Sequence, residues 1–394
     1  MDFWDSNIFV NMFNFFHLTE FFYNNRIIQA KSLIILNPLK SIQTGKIQTV
    51  LGQIEPKSLG FTIMHEHVLS SLNAYKAKPE NASDVAWVNA PVVFNNIGQL
   101  HLKKYINQTA LELTNIDDAI SEVNEFRISG GNSIVDTTST GIGRDPRGLA
   151  LVSRATGTHI VMGSGYYVPL SYPEGTRSKS ENELISETVS DIVHGVKDTG
   201  IKSGIIGEIG LIDPIDKVQE RILRSAAQAS KITGCPITIH PPLNDTGALD
   251  IMKILLDEGV APNNIIIGHL GMAMVDQESV KELGSTGCYL QYDHFGSFED
   301  SLMIYKDKPA LAQNDNDRLE SLRTLVELGY EDRLLVSQDV CIQIQRIEYG
   351  GKGYAHLVTN IADRMLSRGL DKSVIKKIFI ENPARILTFK NGTI

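Results

Sequence analysis

The sequence predicts a (β/α)8 barrel, and three observations carry that prediction. From about residue 46 onward, short runs of apolar and β-branched residues alternate with segments of helical periodicity. The strand candidates number eight, the count of a closed barrel. Each run is nearly continuous in apolar residues rather than alternating, as parallel strands buried on both faces require. An open doubly wound sheet is the alternative, but no G-x-G-x-x-G follows the first strand to support it.

The leader, residues 1–44, stands apart from this pattern. Seven of the 14 phenylalanines and one of the two tryptophans fall before residue 23. A signal peptide fits poorly, because Asp2 and Asp5 make the start acidic and Asn11, Asn14, His17 and Glu20 interrupt the apolar run. The same interruptions exclude a membrane span of roughly 20 apolar residues. The leader therefore reads as a disordered or loosely docked extension, with an interfacial anchor as the weaker alternative, and residues 45–394 read as the barrel.

Strands are expected at residues 61–66, 133–137, 160–166, 204–210, 236–240, 265–269, 288–292 and 333–337. Helices are expected near 115–129, 145–156, 180–199, 216–233, 245–259, 275–284, 315–329 and 354–368. Two connections, 70–114 and 294–315, exceed ordinary βα loops and are expected over the barrel mouth as substrate walls. The Tyr349-Gly-Gly-Lys-Gly-Tyr354 stretch after the last strand reads either as an anion cradle or as a plain flexible turn.

Composition narrows the function classes. The chain of 394 residues is 42% hydrophobic and 21% charged, ordinary for a globular protein, and its net charge of −9 without a Lys/Arg run argues against nucleic acid. Cys235, Cys288 and Cys341 are odd in number and widely spaced, which points to a reducing compartment and a cytoplasmic location. Asn81, Asn107 and Asn391 head glycosylation sequons that matter only in a secreted chain.

In a barrel the C-terminal ends of the strands converge on the active face, so ionisable residues there are the informative ones. The first strand ends in His65-Glu-His67, and alternate side chains of an extended chain share a face, so the two imidazoles project together. Strand four carries Glu208 in an apolar run, strand five ends in His240, strand six in His269, and strand eight runs into Asp339. Singly, each has a bland explanation as a core histidine satisfied by a carbonyl or an acid capping the next helix. Together they bring four histidines and two carboxylates to equivalent ends of five strands, and that coincidence predicts a metal centre.

Six ligands exceed what one catalytic zinc takes, so two divalent cations are expected. His65, His67 and Asp339 are assigned to the more buried cation, His240 and His269 to the more exposed one, and Glu208 to the bridge. Histidine and carboxylate donors without thiolate favour Zn²⁺ and admit Mn²⁺ or Co²⁺. The expected chemistry is hydrolysis by a metal-bridging hydroxide, with Asp339 as the catalytic acid/base that passes its proton to the leaving group. His17, His101, His159 and His194 lie in the leader, loops or helices and are expected at the surface; His294, Tyr166 and Tyr167 follow strands on the active face and are candidate substrate contacts. A small-molecule substrate is the expected partner, and the pattern admits a homodimer.

From about Gly45 to the C-terminus the residues also resemble the phosphotriesterase-related family of the amidohydrolase superfamily. The resemblance rests on Thr49-Val-Leu-Gly-Gln-Ile54, Met64-His-Glu-His67, Gly207-Glu-Ile-Gly210, Ile239-His-Pro, Gly268-His-Leu-Gly, Tyr349-Gly-Gly-Lys-Gly-Tyr354 and Glu381-Asn-Pro-Ala-Arg385. It implies a binuclear metal-dependent barrel with its ligand pattern on His65, His67, Glu208, His240, His269 and Asp339. Bacterial organophosphate hydrolases and lactonases of the superfamily bridge their metals with a carboxylated lysine, whereas this chain has Glu208. That resembles the related-protein branch, which implies amide hydrolysis of N-acyl amino acids or N-acetyltaurine; a phosphotriester or lactone is the alternative substrate. Gln338 and Lys352 stand where members of that branch often carry histidine, departures that bear on substrate choice. A non-catalytic metal-binding barrel is the reading from another class, and loss of a ligand would have favoured it.

Overall fold

Eight parallel strands form a ring in the computed structural model, which describes residues 44–392 apart from 80, 104, 245, 272–276, 298–301 and 306–307. The leader, Thr44 excepted, lies outside the described residues. β1 (Thr62–Glu66), β2 (Ser133–Asp136) and β3 (His159–Met162) pair in that order. β4 (Ile206–Gly210), β5 (Ile237–His240), β6 (Ile265–Ile267), β7 (Tyr289–Tyr292) and β8 (Leu334–Val336) form the second run. Backbone bonds close both seams. Between β3 and β4, Gly204 N–H donates to Met162 O (2.9 Å) and Gly207 N–H to Ser164 O (2.6 Å). Between β8 and β1, Asp339 N–H donates to His65 O (3.1 Å) and His67 N–H to Val340 O (3.2 Å).

The helices between strands are α1 (Ile116–Ile128), α2 (Pro146–Thr156), α3 (Glu181–Val193), α4 (Lys217–Thr233), α5 (Gly247–Asp257), α6 (Gln277–Thr286) and α7 (Asp315–Glu327). After β8 a π-helical stretch (Leu357–Ile361) runs into α8 (Ala362–Ser367). Their starts follow from capping chemistry: Asn115, Asp145 ahead of Pro146, Ser180 with Glu183, Asp216, and Asn314 with Asp317 each accept backbone N–H groups of the first turn. Three elements stop earlier than their periodicity suggests. The third strand ends at Met162, and α3 ends at Val193, where Gly195 and Gly200 at positive φ fold the chain so that Val196 N–H reaches Ile201 O (2.9 Å). β6 stops at Ile267 because His269 turns into the left-handed region (φ 60°).

At the N-terminal end of the strands, a hairpin (Ile47–Thr49 with Gly52–Ile54) closes the ring, and Ile47 and Leu59 bury against Val135, Val161, Ile266 and Leu335. At the other end the long 70–114 excursion is a folded wall. Ser70–Ser71 pairs antiparallel with Glu112–Leu113, and Leu72, Val92 and Leu100 pack on Ile142, Tyr167 and Ile342 from the loops after β2, β3 and β8. The connection after β7 carries an antiparallel hairpin, Leu302–Tyr305 with Lys308–Leu311.

The glycine-rich 349–354 stretch is neither an open cradle nor a loose turn. Gly350, Gly351 and Gly353 donate their N–H groups to Ile347, Arg346 and Gln345 carbonyls (3.0, 2.9 and 2.9 Å), so they are not available to an anion. A Cβ on Gly351 would meet the Gln345 carbonyl carbon at 2.1 Å, so only glycine fits there. None of the cysteines forms a disulfide. Among the described residues, no helix is long and apolar enough to cross a membrane.

Candidate metal centre

Glu208, at the C-terminal half of β4, is buried and faces four imidazole nitrogens. Nε2 of His65, Nε2 of His67 and Nδ1 of His240 each lie 3.3 Å from its carboxylate, and Nε2 of His269 lies 3.4 Å from it. Asp339, leaving β8, puts Oδ1 3.3 Å from Nε2 of His67 and 4.0 Å from Nε2 of His65. All six residues singled out from the sequence therefore meet in one cluster. They come together because β1, β4, β5, β6 and β8 all end at the same rim.

The donors around Glu208 fit a cation better than they fit each other. Nε2 of His65 and Oδ1 of Asp339 are buried and have no hydrogen-bond partner among the described residues. His65, His67 and Glu208 offer ligand atoms within 4.8 Å of one another, and so do His65, His269 and Asp339, and Glu208, His240 and His269. Groups outside the cluster hold the imidazoles by their far nitrogens: Nδ1 of His67 lies 3.0 Å from Thr138 Oγ1, and Nδ1 of His269 lies 2.8 Å from Asp293 Oδ1. The Gln291 side-chain amide lies 3.0 Å from Nδ1 of His65.

Within the cluster the carboxylates and imidazoles set one another's charge. Burial opposes the charge on Glu208, but His65, His240 and His269 overcome it and hold the carboxyl well below its usual range. Asp339 is likewise held ionised, against burial, by His294, His67 and His65. Burial disfavours the His67 imidazolium, yet Asp339 and Glu208 lift it to about 10, whereas burial and neighbouring His269 push His240 down. Three of these rim positions are also backbone outliers. His269, His294 and Asp339 occupy the left-handed region (φ 60°, 66° and 53°), where a non-glycine residue costs of order 1 kcal/mol and persists only when its surroundings hold it.

Several residues at the rim were not assigned from the sequence. Asp293 accepts from His269 and from Nδ1 of His294 (2.8 Å each), and His294 also comes within 3.4 Å of Asp339 Oδ2. Glu66, between the two first-strand histidines, accepts from Ser337 Oγ (2.6 Å) and from the Gln338 and Val340 N–H groups (2.8 Å each), which fastens β8 to β1. Asp136 accepts from the Val68 N–H (2.7 Å). Each lies one or two residues from a recognised ligand or strand end, the one signal that could have found it.

The candidate substrate contacts divide. Tyr167 OH lies 3.3 Å from Nδ1 of His240, whereas Tyr166 turns away to Glu187 (2.6 Å) and Lys179 (2.8 Å). Gln338 donates to the Gly353 and Tyr354 carbonyls and braces the last loop. His159 opens β3 at the far end of the barrel, His101 lies in a short helix (Ile97–Leu102), His194 caps α3, and His17 lies outside the described residues.

Lys352 belongs to a second charged cluster, around buried Asp315. That carboxylate accepts from Gly296 N–H and His356 (2.8 Å each), with Lys352 at 3.4 Å and Arg364 at 3.5 Å. Burial opposes its charge, but His356, the Gly296 N–H and Lys352 outweigh it, so its pKa lies well below the usual carboxylate range. A depressed acid contributes stability that is complete above its unfolded pKa of about 4 and is lost as pH falls through its folded value. Asp315→Asn is thus expected to lower unfolding stability at pH 7 by about 3 kcal/mol, with the gap from wild type narrowing at acid pH. Urea titrations at pH 7 and pH 3 check this, and a pH-independent gap contradicts it.

The sequence model of the phosphotriesterase family matches residues 45–387. The human N-acetyltaurine hydrolase is 37% identical over 349 residues, covering 88% of this chain and 99% of that protein. Among solved structures, a resiniferatoxin-binding protein from Rhodobacter sphaeroides superposes with a TM-score of 0.83 at 31% identity, covering 88% of this chain and 96% of that one. A phosphotriesterase homology protein from Escherichia coli, complexed with phosphate in its active site, superposes at 0.69 and 24% identity, covering 84% and 99%.

Proposed function

Because the chain belongs to the phosphotriesterase family, we propose that it is a binuclear metal-dependent hydrolase that cleaves a small N-acyl amide such as N-acetyltaurine or an N-acyl amino acid. The observation that carries the reading is the ring of four imidazole nitrogens within 3.4 Å of Glu208, with Asp339 closing it. His65, His67 and Asp339 would hold one divalent cation and His240 and His269 the other, with Glu208 shared; nitrogen and oxygen donors without thiolate favour Zn²⁺. Bound there, such cations polarise the scissile carbonyl and lower the pKa of the attacking water.

The chain's own residues supply the proton handling. Asp339 keeps Oδ1 toward His67 and turns Oδ2 toward Nδ1 of His294, so it accepts the proton of the attacking water at one oxygen and communicates with His294 through the other. His294 leans on Asp293 and is partly exposed, which gives that proton a route to the leaving group or to solvent. The Tyr167 hydroxyl, beside His240, borders the space where an acyl oxygen would sit.

The amide substrate is supported by the extent of the match to N-acetyltaurine hydrolases and by a glutamate, Glu208, rather than a lysine facing the four imidazoles. Metal analysis combined with turnover of N-acetyltaurine, N-acyl amino acids, a lactone and an aryl phosphotriester, with and without chelator, tests it. About two metals per chain and chelator-sensitive amide cleavage are expected. Turnover of only the lactone or phosphotriester would replace the substrate, and a protein without bound metal would end the reading.

A further inference from the structure

A cavity of about 390 Å³ lies where the long excursion after β1 ends. Glu112 from that excursion, Asn115 and Asp118 at the start of α1, and Gln343 and Arg346 from the loop after β8 line it. None of the residues lining it belongs to the metal cluster. Arg346 is the buried group among them, 1% exposed. Its Nη2 donates to Val68 O (2.9 Å) and its buried Nε has no partner, which leaves Nη1 as the nitrogen that is neither bonded nor fully enclosed. Glu122 acts on it through space, but turns both oxygens to the Ile347 N–H (3.2 and 3.1 Å). A guanidinium can only donate, and burying one without an acceptor is costly, so an acidic group belongs beside Nη1.

The same cavity carries two carboxylates. Glu112 Oε1 accepts from the Asn73 amide (2.6 Å), whereas its other oxygen and the Asp118 carboxylate make no bond to a described residue. Neither acid forms an ion pair with Arg346 or with any other described residue, so three charged groups face one space without neutralising each other. Both acids are partly exposed, which gives a ligand access from solvent. A simple anion would suit Arg346 and be repelled by the acids, and a simple cation would meet the reverse. A molecule carrying both charges satisfies all three groups.

We propose that this cavity is a ligand site for a small zwitterion, an ammonium and a carboxylate or sulfonate a few atoms apart. Its acid meets Arg346 and its ammonium meets Glu112 and Asp118. Occupancy reaches the metal centre through Arg346. The guanidinium holds the carbonyl of Val68, which directly follows His67 and whose N–H donates to Asp136 Oδ2 (2.7 Å). Resting on the amide-hydrolase reading above, the amine released by the reaction has this chemistry, so the site senses product and slows turnover without competing with substrate.

Calorimetric titration of the metal-loaded full chain with taurine and β-alanine, with ethanesulfonate and ethylammonium as single-charge controls, tests the site. Saturable binding of a zwitterion is expected, with both controls at least about tenfold weaker. The double variant Glu112→Gln, Asp118→Asn should bind the zwitterion about tenfold more weakly or worse. It should keep the wild-type kcat and KM when no zwitterion is present, and lose an inhibition that in the wild type added substrate does not relieve. Zwitterion binding in an enzyme that cleaves no amide would keep the site and overturn the amide reading. Inhibition relieved by substrate would place the amine at the metal centre and overturn the coupling. Absence of binding to the wild type, or binding unchanged in the double variant, would overturn the site itself. Both replacements keep the size of partly exposed side chains, so the barrel is expected to fold with them.

Discussion

Asp339→Asn is expected to yield a folded, metal-containing barrel whose kcat on the amide falls by about a thousandfold, within the 10²–10⁴ that a positioned proton acceptor supplies. Asparagine keeps an oxygen for the cation side but cannot take a proton, and it presents an amide rather than a carboxylate to His294, which lies 3.4 Å away. The loss should appear in kcat with little change in KM, because Asp339 handles the proton and does not hold the substrate. Metal content measured on the same preparation separates this effect from simple loss of the ions. A variant within tenfold of wild type would remove Asp339 from the acid/base role.

Glu208→Ala is expected to have the larger effect on metal. The carboxylate is the one group that all four imidazoles approach within 3.4 Å, so on the proposed ligand set its removal takes away the shared ligand and the negative charge that would offset two cations at once. Affinity measured by chelator competition should fall by at least about a hundredfold, beyond the 10–100-fold typical of losing a mere supporting contact, and activity should fall with it. Far-UV circular dichroism should stay unchanged, since the strand is held by its backbone pairing with β5 and by the Glu208 N–H bond to Thr137 O (3.0 Å). Retention of two metals per chain would show that the bridge lies elsewhere.

The barrel and the positions of its rim residues were legible because they rest on period and spacing. Apolar runs of strand length recur eight times, and the six residues named from strand ends meet within a few ångströms. Asp293 and Glu66 were not legible, for a physical reason. A carboxylate adjacent to a ligand can equally cap a helix, face solvent or orient the ligand, and only the three-dimensional partner decides. Glu66 illustrates this: it alternates with His65 and His67, so the strand pattern sends it to the opposite face, where it grips Ser337 and the Gln338 amide instead of joining the cluster. The early stop of β6 was equally hidden, since a positive φ at a histidine leaves no mark in composition.

The seam between the last strand and the first has a consequence for how the enzyme is made. The histidine pair of β1 emerges early in synthesis, the donors of β4, β5 and β6 follow in order, and Asp339 arrives only with β8, whose backbone then bonds to His65 and Val340 to His67. Until β8 has left the ribosome the ring is open, and the cluster lacks the residue that closes it. If the proposed ligand set holds, capture of the full set of cations is a late event coupled to ring closure, and nascent chains that stall before β8 would be inert by construction.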